Sequence, residues 1–223
     1  MTAIKAVLWD IDGTLLKTGG AGAVAWQRAF RELWEVDANI TEHTREGMTD
    51  PEIVEIIFRE VIGRDGSDAE HAEAIAGYLS HLQDAVDESP GYELMPGITE
   101  ILPRLAASGV LQGLITGNIE AAAHIKLSRG DLNQYFAFGG YGSDARDRTE
   151  LTKRGVERGG EVAGHPLDLA ATIGVGDTPR DVSACHGAGI RVVGVATGTY
   201  SVEEQRDAGA DWALATVEDG FPV

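Results

Sequence analysis

The chain has 223 residues, 43% of them hydrophobic, and its 36 acidic and 18 basic residues give a formal net charge of −18. This length accommodates one α/β domain with a modest insertion, and so acidic a surface disfavours a nucleic-acid partner because it repels a phosphate backbone. Cys185 is the only cysteine, which excludes an intrachain disulfide and a cysteine-based zinc site.

Short apolar runs alternate with helical patterns along most of the chain. The strand-like runs cover residues 6–9, 110–115, 170–175 and 191–195, with weaker ones at 135–138 and 211–214. The helical patterns between them cover about residues 98–108, 118–128, 150–160 and 179–188. Such alternation is typical of βαβ units. It predicts an α/β fold with a Rossmann-like core, in which helices flank a central parallel sheet.

The stretch from Lys17 to about Tyr92 interrupts this alternation. It has apolar residues at helical spacing, an excess of acidic residues and no convincing strand. One alternative is a long helical crossover packed on the sheet, but a crossover needs only roughly 10–12 residues. We therefore predict an all-helical cap at residues 17–92, inserted after the first strand of a core formed by residues 1–16 and 93–223.

Two aspartates follow the first predicted strand directly. Asp10 and Asp12 are separated by one residue, and Gly13 after them allows a sharp turn. Ligands of an open parallel sheet bind beyond the carboxyl ends of its strands. Two carboxylates held this close can divide the work, since one stays ionised while the other carries a proton. A calcium loop is excluded because its twelfth position requires a glutamate, and that position here is Ala21.

Thr116, Gly117 and Asn118 follow the second strong strand pattern and precede a helical one. A hydroxyl and free backbone N–H groups at the start of a helix suit a phosphoryl oxygen. The same residues are also compatible with an ordinary helix N-cap.

A third group, Gly176, Asp177 and Asp181, follows the strand pattern at residues 170–175. The spacing lets Asp177 reach a metal at the strand ends while Asp181 supports it directly or through water. Mg²⁺ prefers a few carboxylates together with waters and substrate phosphate. The alternative is a helix capped by Asp177, with Asp181 on the surface.

These three groups, in this order, resemble three of the four motifs of haloacid dehalogenase-like phosphatases. Residues 19–22, 47–51 and 92–97 resemble the phosphoglycolate phosphatase-like branch, which has a helical cap, so the resemblance covers nearly the whole chain. It implies a Mg²⁺-dependent phosphatase that hydrolyses small phosphomonoesters through an aspartyl-phosphate. A sugar phosphomutase of the same superfamily is the main alternative. A haloacid dehalogenase or a non-catalytic binding protein is a weaker one.

The resemblance also implies roles for individual residues. Asp10 is the expected nucleophile and Asp12 the expected general acid and base. The expected metal ligands are Asp10, the backbone carbonyl of Asp12, and Asp177, with Asp181 close by. The expected phosphate-binding residues are Thr14, Thr116, Gly117, Asn118 and Arg148.

One family motif is absent from the sequence. The family places a lysine, often followed by proline, before the Asp177 motif, and residues 142–153 contain no such pair. Arg148 is the first candidate for this role and Lys153 the second. Either residue is also compatible with a solvated surface cation.

The expected partner is a small phosphorylated metabolite, with neither nucleic acid nor membrane. No apolar stretch approaches the roughly 18 residues that span a bilayer, and the apolar run at residues 6–9 does not resemble a signal peptide. We therefore expect a cytoplasmic location, and the oligomeric state stays open between monomer and dimer. By resemblance, residues 47–50 are the expected cap loop that faces the site.

Overall fold

The computed structural model describes residues 3–223, which form two β-sheets and eight α-helices. The strands are β1 (Ala6–Trp9), β2 (Leu16–Thr18), β3 (Tyr92–Leu94), β4 (Leu111–Thr116), β5 (Gly139–Tyr141), β6 (Thr172–Gly176), β7 (Arg191–Val195) and β8 (Trp212–Leu214). The larger sheet has six parallel strands in the order β5-β4-β1-β6-β7-β8. The predicted α/β fold with a central parallel sheet is therefore confirmed.

Helices surround this sheet and fill the interval between β2 and β3. They are α1 (Ala21–Trp34), α2 (Asp50–Ile56), α3 (Asp68–Glu88), α4 (Ile98–Ala107), α5 (Glu120–Ser128), α6 (Arg148–Ala163), α7 (Pro179–Gly187) and α8 (Val202–Asp207). A π-helical turn, Ile57–Ile62, continues α2, and short 3-10 helices lie at Ile40–Glu42, Asn133–Tyr135 and Leu169–Ala171. Among residues 3–223, no helix is both long and apolar enough to cross a membrane.

Each face of the six-stranded sheet carries its own apolar layer, because successive side chains of a strand point to opposite faces. Val7 and Trp9 of β1 belong to one buried group with residues of α4 and α5. Leu8, between them, belongs to a second group with Leu151 of α6 and Cys185 of α7. Every residue of β1 is buried. The first motif therefore begins at a strand held on both faces.

The helices between β2 and β3 enclose a third buried apolar group. Its centre is aromatic: Trp26 of α1 stacks on Tyr78 of α3 with 4.0 Å between ring centroids, and Phe30 contacts Phe58 edge to face. Aromatic pairs of this kind contribute beyond the area they bury. That residues 17–92 form a cap domain stays a prediction.

Two strand predictions were wrong at the local level. No strand was expected between Lys17 and about Tyr92, yet β2 pairs with β3 in an antiparallel ribbon, Lys17 opposite Glu93. Each strand has three residues, too few for an alternating pattern, and their pairing spans the whole helical insert. The strand expected at residues 135–138 lies instead at Gly139–Tyr141, after the 3-10 helix Asn133–Tyr135.

The shift to β5 follows from how closely α6 approaches the sheet. A Cβ added at Gly140 would lie 1.8 Å from the carbonyl oxygen of Leu151 and 2.9 Å from the backbone nitrogen of Gly155. Glycine has low strand propensity, which hid this strand in the sequence, but only glycine leaves room for the helix backbone here. The start of α6, at Arg148, is positioned through this contact.

We expect Gly140→Ala to lower the free energy of unfolding by on the order of 1–3 kcal/mol, because the added methyl group overpacks a backbone contact. Urea unfolding followed by circular dichroism measures the change. Gly22→Ala in α1 is the matched control, since its new Cβ would lie 3.8 Å from the nearest heavy atom. That variant should keep or raise stability, by roughly 0.5–1 kcal/mol. Equal unfolding midpoints for Gly140→Ala and the unchanged protein would contradict the tight helix–sheet contact.

Candidate active site

The three sequence motifs meet at one edge of the six-stranded sheet. Strand β1 lies between β4 and β6, with Trp9 opposite Leu114 on one side and Val175 on the other. Because all three strands run parallel, the residues that follow them emerge side by side. The structure thereby brings together Asp10, Thr116 and Asp177, although Asp10 comes more than a hundred residues before the other two in the sequence.

The first loop turns at a position that requires glycine. Gly13 has φ 85°, and a Cβ there would lie 2.3 Å from Oδ2 of Asp177. The left-handed conformation and this close approach both exclude a larger residue. Thr14, also buried, donates a hydrogen bond from Oγ1 to Oδ1 of Asp177 at 3.3 Å. The turn thus packs the first motif directly against the third.

Three buried carboxylates form a cluster at the strand ends. One oxygen each from Asp10, Asp177 and Asp181 lies within 4.8 Å of the others, and each residue is at most 6% exposed. Arg148 donates a hydrogen bond to Oδ1 of Asp10 at 3.2 Å and pairs with Asp181. One guanidinium therefore contacts two of the three acidic groups.

The electrostatics of this cluster favour an additional positive charge. Burial raises the pKa of Asp10, and the neighbouring Asp181 and Asp12 raise it further against the opposing effect of Arg148. Burial, then Asp10 and Asp181, likewise raise the pKa of Asp177. Burial alone would lower the pKa of Arg148, but Asp181 and Asp10 keep it above its ordinary value. The all-oxygen donor set and uncompensated negative charge fit a divalent cation.

Asp181 is a buried structural member of this cluster. Its Oδ2 accepts hydrogen bonds from the backbone N–H (3.0 Å) and the hydroxyl (2.7 Å) of Thr178, in a capping box at the start of α7. Its Oδ1 pairs with Arg148. The alternative that Asp177 caps the helix and Asp181 lies on the surface was wrong, since Thr178 is the cap. Both carboxylate oxygens of Asp181 already accept hydrogen bonds. Asp181 is therefore better suited to add negative charge near a metal than to bind the metal directly.

Thr116 and Asn118 bind each other and the first loop. The side-chain amide of Asn118 donates to Oγ1 of Thr116 at 2.8 Å and to Oδ2 of Asp12 at 2.7 Å. Ile119 occupies the N-cap position of α5 and makes no side-chain cap. The helix-capping alternative for Thr116 and Asn118 was therefore wrong. The Asn118 amide therefore connects Thr116 to Asp12.

The loop at residues 47–50 of the helical insert lies over this arrangement. Arg148 donates to the carbonyl oxygen of Gly47 at 3.3 Å, and the N–H of Asp50 donates to the carbonyl of Gly117 at 2.9 Å. Oδ2 of Asp50 accepts the N–H of Ile119 at 2.8 Å. Burial raises the pKa of Asp50 to about 6. The insert is thus hydrogen-bonded to the expected phosphate-binding loop.

Of the two basic candidates, the structure brings only Arg148 to the cluster. Arg148 is the first residue of α6, and its side chain is 9% exposed. The side chain of Lys153 is 47% exposed and pairs with Glu150 at 2.8 Å. Lys153 therefore fits the surface-cation alternative, and its place as second candidate is not supported by position.

Sequence reasoning missed Lys126. Its Nζ lies 2.9 Å and 2.7 Å from the two carboxylate oxygens of Asp12, and the residue is 6% exposed. Ala122, Ala123 and Leu127 are the other buried residues of α5. Lys126 lies at the helical spacing of these apolar residues, which predicts that it is buried. Because charged residues are rarely buried without a partner, this position was the signal in the sequence that Lys126 has one.

A cavity of about 490 Å³ opens between the helical insert and Asp12. Its walls include Trp26, Thr44, Arg45, Tyr78 and Lys126. The Asp12 side chain is 45% exposed, in contrast to the buried Asp10 two residues earlier. The structure therefore gives the two aspartates different environments, one in the acidic cluster and the other facing open space.

Comparisons with known proteins point to a single family. A family model described as haloacid dehalogenase-like hydrolase matches residues 7–195. The chain is 26% identical over 207 residues to probable phosphatase IndB of Dickeya dadantii, covering 91% of this chain and 85% of that protein. It is 24% identical over 224 residues to a phosphoglycolate phosphatase of Synechococcus elongatus, covering 97% and 95%. The structure of CbbY from Rhodobacter sphaeroides in complex with phosphate has a TM-score of 0.73 at 18% identity, covering 95% of this chain and 93% of that chain.

The raised pKa values predict how the stability of the metal-free protein depends on pH. A buried carboxyl with a raised pKa keeps its proton in the folded protein after the unfolded chain has lost it, so stability falls as pH rises from about 4. Asp177→Asn removes one such group. In EDTA, the variant should be more stable than the unchanged protein near about pH 9, and this difference should shrink toward about pH 5.

Urea unfolding at a series of pH values measures this difference. Asp207→Asn, at the exposed end of α8, is the matched control and should leave the pH dependence unchanged. An advantage of Asp177→Asn that grows toward acid pH would contradict an uncompensated buried carboxylate.

Proposed function

The chain belongs to the haloacid dehalogenase-like hydrolase family, and we propose that it is a phosphatase of small phosphomonoesters that acts through an aspartyl-phosphate at Asp10. The observation that carries this proposal is the pairing of two unlike carboxylates. Asp10 lies buried in the acidic cluster beside Arg148, while Asp12 faces the cavity under the insert. A nucleophile and a separate proton carrier are what a two-step displacement needs.

In the first step, a carboxylate oxygen of Asp10 attacks phosphorus and the ester P–O bond breaks. Asp12 passes its proton to the oxygen of the leaving alcohol. Thr116, Asn118 and the backbone around Gly117 bind the phosphoryl oxygens, with Thr14 holding Asp177 in the adjoining cluster. Splitting one difficult displacement into two steps lowers the barrier of each.

In the second step, a water molecule attacks the phosphoryl group on Asp10. Asp12 now accepts the proton of that water, the acyl–phosphate bond breaks and inorganic phosphate leaves. Asp10 returns to its starting state. Arg148, which donates to Asp10 Oδ1, keeps the carboxylate oriented through both steps.

Mg²⁺ is the cation that we propose for the acidic cluster. Asp10, the backbone carbonyl of Asp12, and Asp177 would hold it, with Asp181 close by. When bound, it offsets the negative charge of the transferred phosphoryl group. The raised pKa values of Asp10 and Asp177 support this assignment, because one guanidinium, Arg148, does not offset the charge of three buried carboxylates.

The proposed substrate is a small phosphorylated metabolite. The cavity beside Asp12 has about 490 Å³ under the helical insert, which suits a leaving group of metabolite size. The acidic surface repels polyanions, and the insert loop at residues 47–50 closes over the phosphate-binding loop. The phosphatase names of two relatives support the same reaction class.

We expect Asp10→Asn to reduce turnover on a panel of small phosphomonoesters on the order of 10³-fold or more, because an amide cannot attack phosphorus. Phosphate release with Mg²⁺ present measures turnover, and mass spectrometry of acid-quenched samples locates the phosphorylated peptide. Free phosphate distinguishes a phosphatase from a phosphomutase, which returns a rearranged ester.

EDTA should abolish the activity of the unchanged protein and added Mg²⁺ should restore it. A phosphopeptide in the same panel should be nearly inert because the insert covers the site. Substantial turnover by Asp10→Asn, or full activity after exhaustive metal removal, would overturn the proposed mechanism.

Arg148→Ala should lower kcat/KM roughly 10²-fold, because the guanidinium holds Asp10 and offsets charge around the transferred phosphoryl group. Lys153→Ala, which removes an exposed cation from the same helix, is the control and should stay close to the unchanged protein. Steady-state kinetics on one phosphomonoester, with thermal unfolding of each variant, separate lost activity from lost folding. A larger effect at Lys153 would transfer the basic role to that residue.

A further inference from the structure

Lys126 holds a position that stability alone does not explain. It lies on the buried side of α5 with Ala122, Ala123 and Leu127, where an apolar side chain would pack without desolvating a charge. Its ammonium group has Asp12 as its ion-pair partner. The Asp12 side chain is 45% exposed, so that carboxylate needs no buried cation to compensate it.

The contact between the two side chains restricts both oxygens of the carboxylate. Nζ of Lys126 lies 2.9 Å from Oδ1 and 2.7 Å from Oδ2 of Asp12. Asn118 also donates to Oδ2, at 2.7 Å. Among the residues that the structure describes, Lys126 makes the only side-chain hydrogen bond to Oδ1. Without it, the half-exposed carboxylate would be held by Asn118 alone, through Oδ2.

The backbone of Lys126 is hydrogen-bonded to the segment that connects the insert to the core. The hydroxyl of Tyr92 donates to the carbonyl oxygen of Lys126 at 2.9 Å. Arg129, one turn further, donates to the carbonyl of Ser89 at 2.7 Å and lies over the Tyr92 ring. The helix that carries Lys126 is therefore held by residues where the insert returns to the sheet.

The insert also approaches Lys126, because Asp50 and Lys126 line the same cavity. Asp50 belongs to the loop over the site and is buried, and the Lys126 ammonium opposes the rise in the pKa of Asp50 that burial causes. A single buried cation thus lies near an acid of the insert loop and an acid of the first loop. The position of Asp12 is therefore connected, through Lys126, to the position of the insert loop over the site.

We propose that Lys126 is a positioning residue that, with Asn118, fixes the Asp12 carboxylate at the cavity where it meets the ester oxygen of the leaving group. This inference rests on the proposed phosphatase function. Lys126 forms and breaks no covalent bond in it. Asp12 still passes its proton to the alcohol oxygen as the P–O bond breaks, and Lys126 determines where the Asp12 carboxylate stands.

The test compares two esters that differ in their need for a proton. A small alkyl phosphate requires protonation of its leaving oxygen, whereas p-nitrophenyl phosphate has a good leaving group that does not. Lys126→Met should lower kcat on the alkyl ester about 10²-fold, with a loss below about tenfold on the aryl ester and little change in KM. Lys126→Arg, which keeps a cation, should restore part of the loss.

Two controls separate positioning from a merely structural role. Lys153→Met removes an exposed lysine that pairs with Glu150, and it should leave both esters unaffected. In a double-mutant cycle, Lys126→Met should add almost nothing to the loss caused by Asp12→Asn, because the two residues act as a unit. An additive loss, an equal loss on both esters or a change confined to KM would overturn the positioning role.

The crystal structure of Lys126→Met supplies a readout that does not depend on turnover. Its Asp12 carboxylate should leave the position that it has beside Lys126 and Asn118. If the Asp12 carboxylate of Lys126→Met keeps its position, the proposal is overturned, whether or not the wild-type protein is active. If the wild-type protein hydrolyses neither ester, that result alone overturns only the phosphatase function. A shifted carboxylate would support Lys126 as the residue that holds Asp12 in either case.

Discussion

The repulsion among three buried carboxylates is the constraint on which this end of the protein depends. Asp10, Asp177 and Asp181 are held close enough to share one metal ion, and a single guanidinium, that of Arg148, contacts two of them, Asp10 and Asp181. Like charges in a poorly solvated site cost free energy. The two apolar layers of the sheet supply the stability that offsets this cost. A bound divalent cation or a proton relieves the repulsion, so the cluster is shaped for an additional positive charge.

The rest of the fold keeps these charges in place through close backbone contacts. Asp177 occupies space that two glycines leave open, since a Cβ at Gly13 or Gly198 would overlap its carboxylate. Arg148 reaches Asp10 because α6 packs against β5 with the carbonyl of Leu151 where a Cβ of Gly140 would be. Glycines at these positions therefore determine where the charged side chains of Asp177 and Arg148 lie. The geometry of the site therefore depends on the packing of the sheet.

The parts that could be predicted from the sequence were those with a local pattern. Strand β1 and the acids after it were placed correctly, because a buried run followed by Asp10, Asp12 and Gly13 is read within a few residues. Strand β5 was misplaced because its Gly139 and Gly140 owe their conformation to α6 rather than to their own propensity. Lys126 was missed since its partner, Asp12, comes more than a hundred residues earlier. The apolar stripe of α5 marks the position of Lys126 within a short window, but the contact of Lys126 with Asp12 depends on the assembled fold.

The different environments of Asp10 and Asp12 explain how a single loop can serve both steps of the proposed reaction. Asp10 lies in the cluster, where charge on the phosphoryl group is offset, while Asp12 faces the cavity that receives the leaving group. The insert contributes most of the walls of that cavity, among them Trp26 and Tyr78, but no carboxylate of the cluster. In the proposed reaction, substitutions in the insert would therefore alter which alcohol fits without disturbing the acidic cluster. In that reaction, the core supplies the reacting carboxylates and the insert lines the space beside Asp12.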